Sequence, residues 1–140
     1  MGENALKIAF GAVVAIVSAY LGGMDGILFA LLGFVTVDYI TGVAAAVKHK
    51  RLSSEVGFWG LVRKVMILAL VGIGNTIDIH IVRTGNVFRT AVALYYIGNE
   101  GISILENCVE LGMVVPKKLR SILVQIRDNG EESTNERNEQ

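Results

Sequence analysis

Asp38-Tyr39-Ile40-Thr41-Gly42, an alanine run, Lys48-His49-Lys50-Arg51, Ser53-Ser54, Gly57-Phe58-Trp59-Gly60, and Arg63-Lys64 at the head of another apolar run that closes at Asp78: this stretch decides the fold. It sets a compact basic loop between two long apolar segments. That is the sequence form of a turn between membrane-spanning helices. Because Lys and Arg in short loops are held in the cytoplasm, the turn also acquires a side.

Upstream, the run from Gly26 to Val47 carries Asp38 as its only charge, and the run from Ile8 to Met24 carries none. Apolar runs near twenty residues match the hydrocarbon core of a bilayer. An amphipathic helix of a soluble bundle would show a polar face at every turn, and these do not. The charged fraction of the 140-residue chain is 19%, below the roughly 25% of soluble domains. The sequence therefore predicts one all-α integral membrane domain over residues 1–127, with three to four transmembrane helices. The expected spans are about 8–24, 26–47, 60–77 and 88–107, followed by an amphipathic helix at about 116–127 and a disordered polar tail over 128–140.

In the first segment Gly11, Ala15, Ala19 and Gly23 recur every fourth residue. Such a stripe lets two helix backbones approach closely in lipid, although glycine and alanine are common in spans in any case. Lys7 before an apolar run, with Val17-Ser18-Ala19 as a weak cleavage site, also has the form of a signal peptide. A retained span is preferred, since the basic flank is thin and a second apolar run follows almost at once.

Asp38 falls near the centre of the second span, with Thr41 one turn on and Gly42 beside it. A carboxylate there costs about 2.5 to 3.5 kcal/mol, so it must face protein or water, or carry a proton. Lys48, Lys50 and Arg51, with Arg63 and Lys64 snorkelling back to the same interface, form a basic anchor for anionic lipid headgroups. Lys117, Lys118 and Arg120 extend it. Ser53-Ser54-Glu55 reads as a helix start and Trp59 as an interfacial aromatic.

The third span ends at Asn75 and Asp78, and the fourth is the most polar. It carries Asn99 and Glu100, and Glu100, Ser103, Asn107 and Glu110 share one helical face. That face is either a seam against other helices or the lining of a watery path; alternatively the end of the helix simply leaves the membrane. Beyond Pro116, Leu119, Ile122, Leu123 and Ile126 recur at helical spacing among basic residues. This is a helix for the membrane surface or for its own bundle. With four spans, all Lys and Arg except Arg83 and Arg89 fall on one side, which predicts both termini in the cytoplasm.

The lone Cys108 cannot form an internal disulfide. His49 and His80 are too far apart in the sequence to suggest a metal site. No nucleophile has a positioned base and no glycine loop cradles a phosphate, so no enzyme, metal or cofactor is expected. Nothing in the charge pattern suggests nucleic acid.

In order and spacing, several of these pieces together resemble the toxin-secretion and phage-lysis holins, a family that includes phage holins of Gram-positive hosts and a holin encoded beside large clostridial toxins. They are Asp38 to Gly42, Lys48 to Arg51 followed by Ser53-Ser54 and Gly57, Arg63-Lys64, Asp78, Asn99 to Asn107, and Val115-Pro116-Lys117-Lys118-Leu119. The resemblance covers about Ile8 to Arg127. It implies a protein that accumulates in the cytoplasmic membrane of a bacterium and assembles with copies of itself into lesions. An endolysin or toxin then passes, without necessary direct contact, and host lysis or secretion follows. The residues themselves leave two other readings open, a small proton-coupled multidrug exporter and an ion-channel subunit.

Overall fold

Asp25 and Ser53 each stand just before an apolar run, where a side-chain oxygen can satisfy a free backbone amide of a new helix. The structure, a computed structural model, describes residues 2–138, with side chains as far as Ser133. In it Asp25 accepts from Leu28 N at 2.9 Å and Ser53 accepts from Val56 N at 3.2 Å. The helices are α1 (Gly2–Tyr20), α2 (Gly26–Lys48), α3 (Ser54–Ile77), α4 (Val87–Glu110) and α5 (Lys117–Asn138), and a π-helical turn, Asp78–Val82, prolongs α3. Among the described residues there is no strand.

The protein is an all-α membrane protein. By length and composition, three segments can cross a bilayer: α1, α2, and α3 with its π turn. α4 is as long as α3 but carries Arg89, Glu100, Glu106 and Glu110.

α2, α3 and α4 form a bundle whose apolar core includes Leu28, Leu31, Val71 and Ala93. The surface is inverted relative to a protein in water. Phe29, Ile40, Leu61, Val65 and Met66 face outward, while Asp38, Asn75, Asp78, Arg89 and Glu100 are buried. Lipid solvates the first set, and only protein partners make the second tolerable.

α1 stands apart, with none of its residues buried. It is tied at its end, where the Tyr20 hydroxyl donates to Ala69 O at 2.9 Å and the Tyr20 ring lies over Gly72, which has no side chain to obstruct it. The helix stops at Tyr20, short of the expected boundary, because Gly22 and Gly23 adopt left-handed backbone angles, φ +87° and +91°. Gly23 is therefore in the turn, out of register with Gly11, Ala15 and Ala19, and the expected four-member stripe loses its last member. Gly11, Ala15 and Ala19 are exposed.

α5 packs chiefly along α4. Of the two expectations for this segment, packing on the bundle is the one observed. The polar stretch from Asp128, expected to be disordered, is helical to Asn138. Its inward residue is Gly130, whose backbone lies against Ala91 and Tyr95, so a contact face exists without a large apolar side chain. Glu139 and Gln140 lie outside the described residues.

Candidate functional site: a polar seam through the bundle

Half-way along α2, α3 and α4, three charged side chains meet. Lys64 of α3 donates to Asp38 of α2 and to Glu100 of α4. Their side chains are 13%, 10% and 5% exposed, so this is an interior contact between two carboxylates and one ammonium. Two turns further along α4, Asn107 Nδ2 donates to Asp38 Oδ1 at 3.2 Å and to Thr41 Oγ1 at 3.0 Å. Gly42 lies beside the same contact, where a side-chain carbon would meet Asn107 Nδ2 at an ordinary 3.5 Å. A groove of about 430 Å³ between α2 and α3, lined by Tyr39, Trp59 and Gly60 among others, opens beside Asp38 and Lys64.

The seam continues to the ends of α2 and α4. Lys48 Nζ donates to Glu110 O at 3.0 Å, and Arg51 pairs with the Glu110 carboxylate at 2.7 Å. His49 Nε2 also lies 3.3 Å from Glu110 O. Cations thus meet the carbonyl end of α4, where the helix dipole is negative.

At the opposite end lies a second polar cluster. The Arg89 side chain, 1% exposed, pairs with Asp25 through both terminal nitrogens, at 2.6 and 3.1 Å. It also donates to the carbonyls of Leu21 and Gly23. Gly22 is required here, because a side-chain carbon would lie 2.5 Å from Arg89 Nε. Hydrogen bonds from the Arg89 guanidinium, then from the Leu28 amide, hold the Asp25 carboxyl down to about 2 from an ordinary 3.8. Asn75 donates to Tyr20 O at 3.1 Å. Asp78 accepts from Phe88 N at 3.0 Å and Arg89 N at 2.8 Å, capping α4 from the preceding element.

The structure brings Asp38, Thr41, Gly42, Glu100 and Asn107 into one seam, with Ser103 half-buried between the last two, and puts Asn75 and Asp78 in the second cluster. Glu100 and Asn107 form a seam against α2 and α3, while Glu110, 44% exposed at the end of α4, pairs with Arg51 of the loop. Asn99 is exposed, off that face. Lys64 requires a correction: it does not snorkel outward with Arg63 but turns inward, because two carboxylates converge on it and Arg63 alone is exposed. Lys50, Lys117 and Lys118 are exposed, and Arg120 reaches Glu106 at 3.3 Å.

Sequence reasoning missed Arg89 and Asp25. A signal existed, since Arg89, Ala93, Ile97 and Glu100 lie three or four residues apart on one face of α4 and all are buried.

The profile of the bacteriophage holin family matches residues 15–128. The chain is 37% identical over 129 residues to the uncharacterized 14.9 kDa protein of the nagH 3′ region of Clostridium perfringens, covering 90% of this chain and 98% of that one. It is 40% identical over 122 residues to the uncharacterized protein Lin0175 of Listeria innocua, covering 87% and 86%. It is 36% identical over 119 residues to a probable holin of Bacillus phage phi105, covering 85% and 87%. No solved structure matches.

Proposed function

The chain belongs to the bacteriophage holin family, and from that membership we propose that it works as a homo-oligomeric holin in the cytoplasmic membrane of a bacterial host. Copies accumulate with the seam closed. On assembly the seam residues exchange protein partners for water, a lesion opens, and an endolysin or a toxin passes. The role needs no catalytic group and no cofactor.

The observation that supports this reading best is Lys64 held between Asp38 and Glu100. A charge in lipid costs about 2.5 to 3.5 kcal/mol at the centre of a span. The cluster is therefore stable in two settings only, packed on itself or facing water. Assembly follows mass action and so depends on concentration. The cluster has one carboxylate more than its single ammonium balances, and moving one charge through 100 mV is worth about 2.3 kcal/mol, so membrane potential can bias the change. Lys50 of the basic loop and Arg63 of α3, both exposed, anchor the cytoplasmic face on anionic headgroups at about 1 kcal/mol per cation.

Expression of the protein alone in a bacterium tests the proposal. Dye should enter abruptly once the protein passes a threshold amount; intact, growing cells at high amounts would contradict it. A proton-coupled exporter has less support, because the Asp38 carboxylate already accepts from Lys64 and Asn107. The two readings part at Asp38→Asn. An exporter loses drug resistance, whereas a holin changes its trigger time or hole size.

A further inference from the structure

α5 lies along α4, and close backbone approaches give the register. Arg120 reaches Glu106 at 3.3 Å. A side-chain carbon at Gly101 would lie 2.8 Å from the Leu123 side chain, one at Gly98 would lie 2.6 Å from Arg127 N, and one at Gly130 would lie 2.6 Å from Ala91 O. Residue numbers fall along α4 as they rise along α5, so the two helices are antiparallel. Gly130 comes level with Ala91, beside Arg89, which is bonded to Asp25 at the start of α2. α5 thus covers, on the far side of α4, the same depth as α2, a helix long and apolar enough to cross a bilayer.

The outward side of α5 carries a polar stripe over that whole distance, with Leu119 and Ile122 exposed along its first two turns. Lys118, Ser121, Gln125, Asn129 and Glu132 are all exposed, and steps of three and four residues put them on one stripe. At 1.5 Å per residue the stripe is about 21 Å long. Leu123 and Gly130 are buried on the opposite side of the helix. The stripe cannot be turned inward without losing the fit of the α5 backbone against Gly98 and of the Leu123 side chain over Gly101. Facing hydrocarbon, it would leave a lysine and a glutamate in lipid at its ends and the Gln125 and Asn129 side-chain amides between them, Ser121 alone being satisfied by Lys118 O at 2.8 Å.

The geometry points to α5 as the helix that lines the aqueous lumen of the assembled lesion, its Lys118-to-Glu132 stripe toward water and its far end opposite the Lys48–Arg51 loop. The inference rests on the holin reading above, and it replaces the expectation of a cytoplasmic C-terminus. Water occupies the face of α5, and further copies of the chain close the ring around it. The middle of the stripe, Ser121, Gln125 and Asn129, is uncharged, which suits the passage of a large solute of either sign.

Single cysteines in a Cys108→Ser background test it, with an impermeant thiol reagent on intact expressing cells and dye entry followed in parallel. Glu132→Cys should react from outside before dye enters. Gln125→Cys and Asn129→Cys should go from unreactive to fully reactive together with dye entry, while Ile40→Cys, on the outward face of α2, stays unreactive. Ser121→Cys gives a second reading of the same stripe if one variant does not accumulate. Reaction of Glu132→Cys only in inside-out vesicles would overturn the inference, and so would dye entry with the stripe cysteines still unreactive; neither touches the holin reading. No dye entry in any strain, the unsubstituted protein included, would overturn both.

Discussion

Arg89 and Lys64 are both cations withdrawn from solvent in one bundle, and their partners differ in kind. Arg89 holds backbone carbonyls at Leu21 and Gly23 and the carboxylate that caps α2. Separating that cluster leaves unsatisfied peptide groups and an uncapped helix. Lys64 holds only two side-chain carboxylates, on α2 and α4. Separating that cluster in water leaves three hydrated ions and no broken backbone bond. A polar contact that includes the backbone fixes a fold, whereas one made of side chains between helices can be exchanged for water. On this account Arg89 is the fastening and Lys64 the part that opens.

The first way to break the comparison is Arg89→Met. It leaves the Leu21 and Gly23 carbonyls without their donor, at about 1 to 3 kcal/mol for each buried group left unpaired, while the half-exposed Asp25 carboxylate is left to water. The variant should fail to accumulate, as read by immunoblot of membranes. Accumulation at the unsubstituted level, with unchanged unfolding in detergent, would erase the distinction.

Lys64→Met should act differently. It leaves two carboxylates facing each other, at a cost of about 3 kcal/mol or somewhat more within the closed seam, and water relieves that cost. Dye entry should come earlier and at a lower protein amount, and adding Glu100→Gln should move it back. A Lys64→Met protein that triggers on the ordinary schedule would remove Lys64 from the opening step.

Asp78→Ala leaves the Phe88 and Arg89 amides without their acceptor, which should cost about 1 to 3 kcal/mol. Its unfolding in detergent micelles should shift, while its trigger time at matched amounts stays put. A shift in timing alone would mean that this end of the bundle opens too.

Acid gives the smallest effect. The folded Asp25 carboxyl is held near 2, below its ordinary 3.8, so its pairing stabilises the fold fully above the ordinary value. That contribution is lost as pH falls from about 4 toward 2. Because the Asp25 side chain is 47% exposed, solvent screens most of the pairing. In micelles the stability advantage over Asp25→Asn should shrink across that interval, and a difference independent of pH would contradict the pairing.

Much of this was legible in the chain. Ser53 marks a helix start through cap chemistry alone, and the Glu100, Asn107 and Glu110 face of α4 follows from spacing. Whether that face met helices or water did not, since period fixes which residues share a side but not what stands opposite. Lys64 beside Arg63 shows the same limit: adjacent cations point apart, and the inward one is known only from its partners. Continuing back from Asp78 and Asn75 by threes and fours through Val71 and Ile67 does reach Lys64, and all but Lys64 are buried. α5 was misread past Asp128 because its packing there uses backbone at Gly130, which composition counts as loop-forming.

The central claim is that the seam must part for the lesion to open. A disulfide between Thr41→Cys and Asn107→Cys, whose native side chains touch at 3.0 Å, would hold it shut in a Cys108→Ser protein reconstituted in dye-loaded phospholipid vesicles. The account predicts that oxidised vesicles keep their dye and release it when reductant is added. Equal release before and after reduction would contradict it.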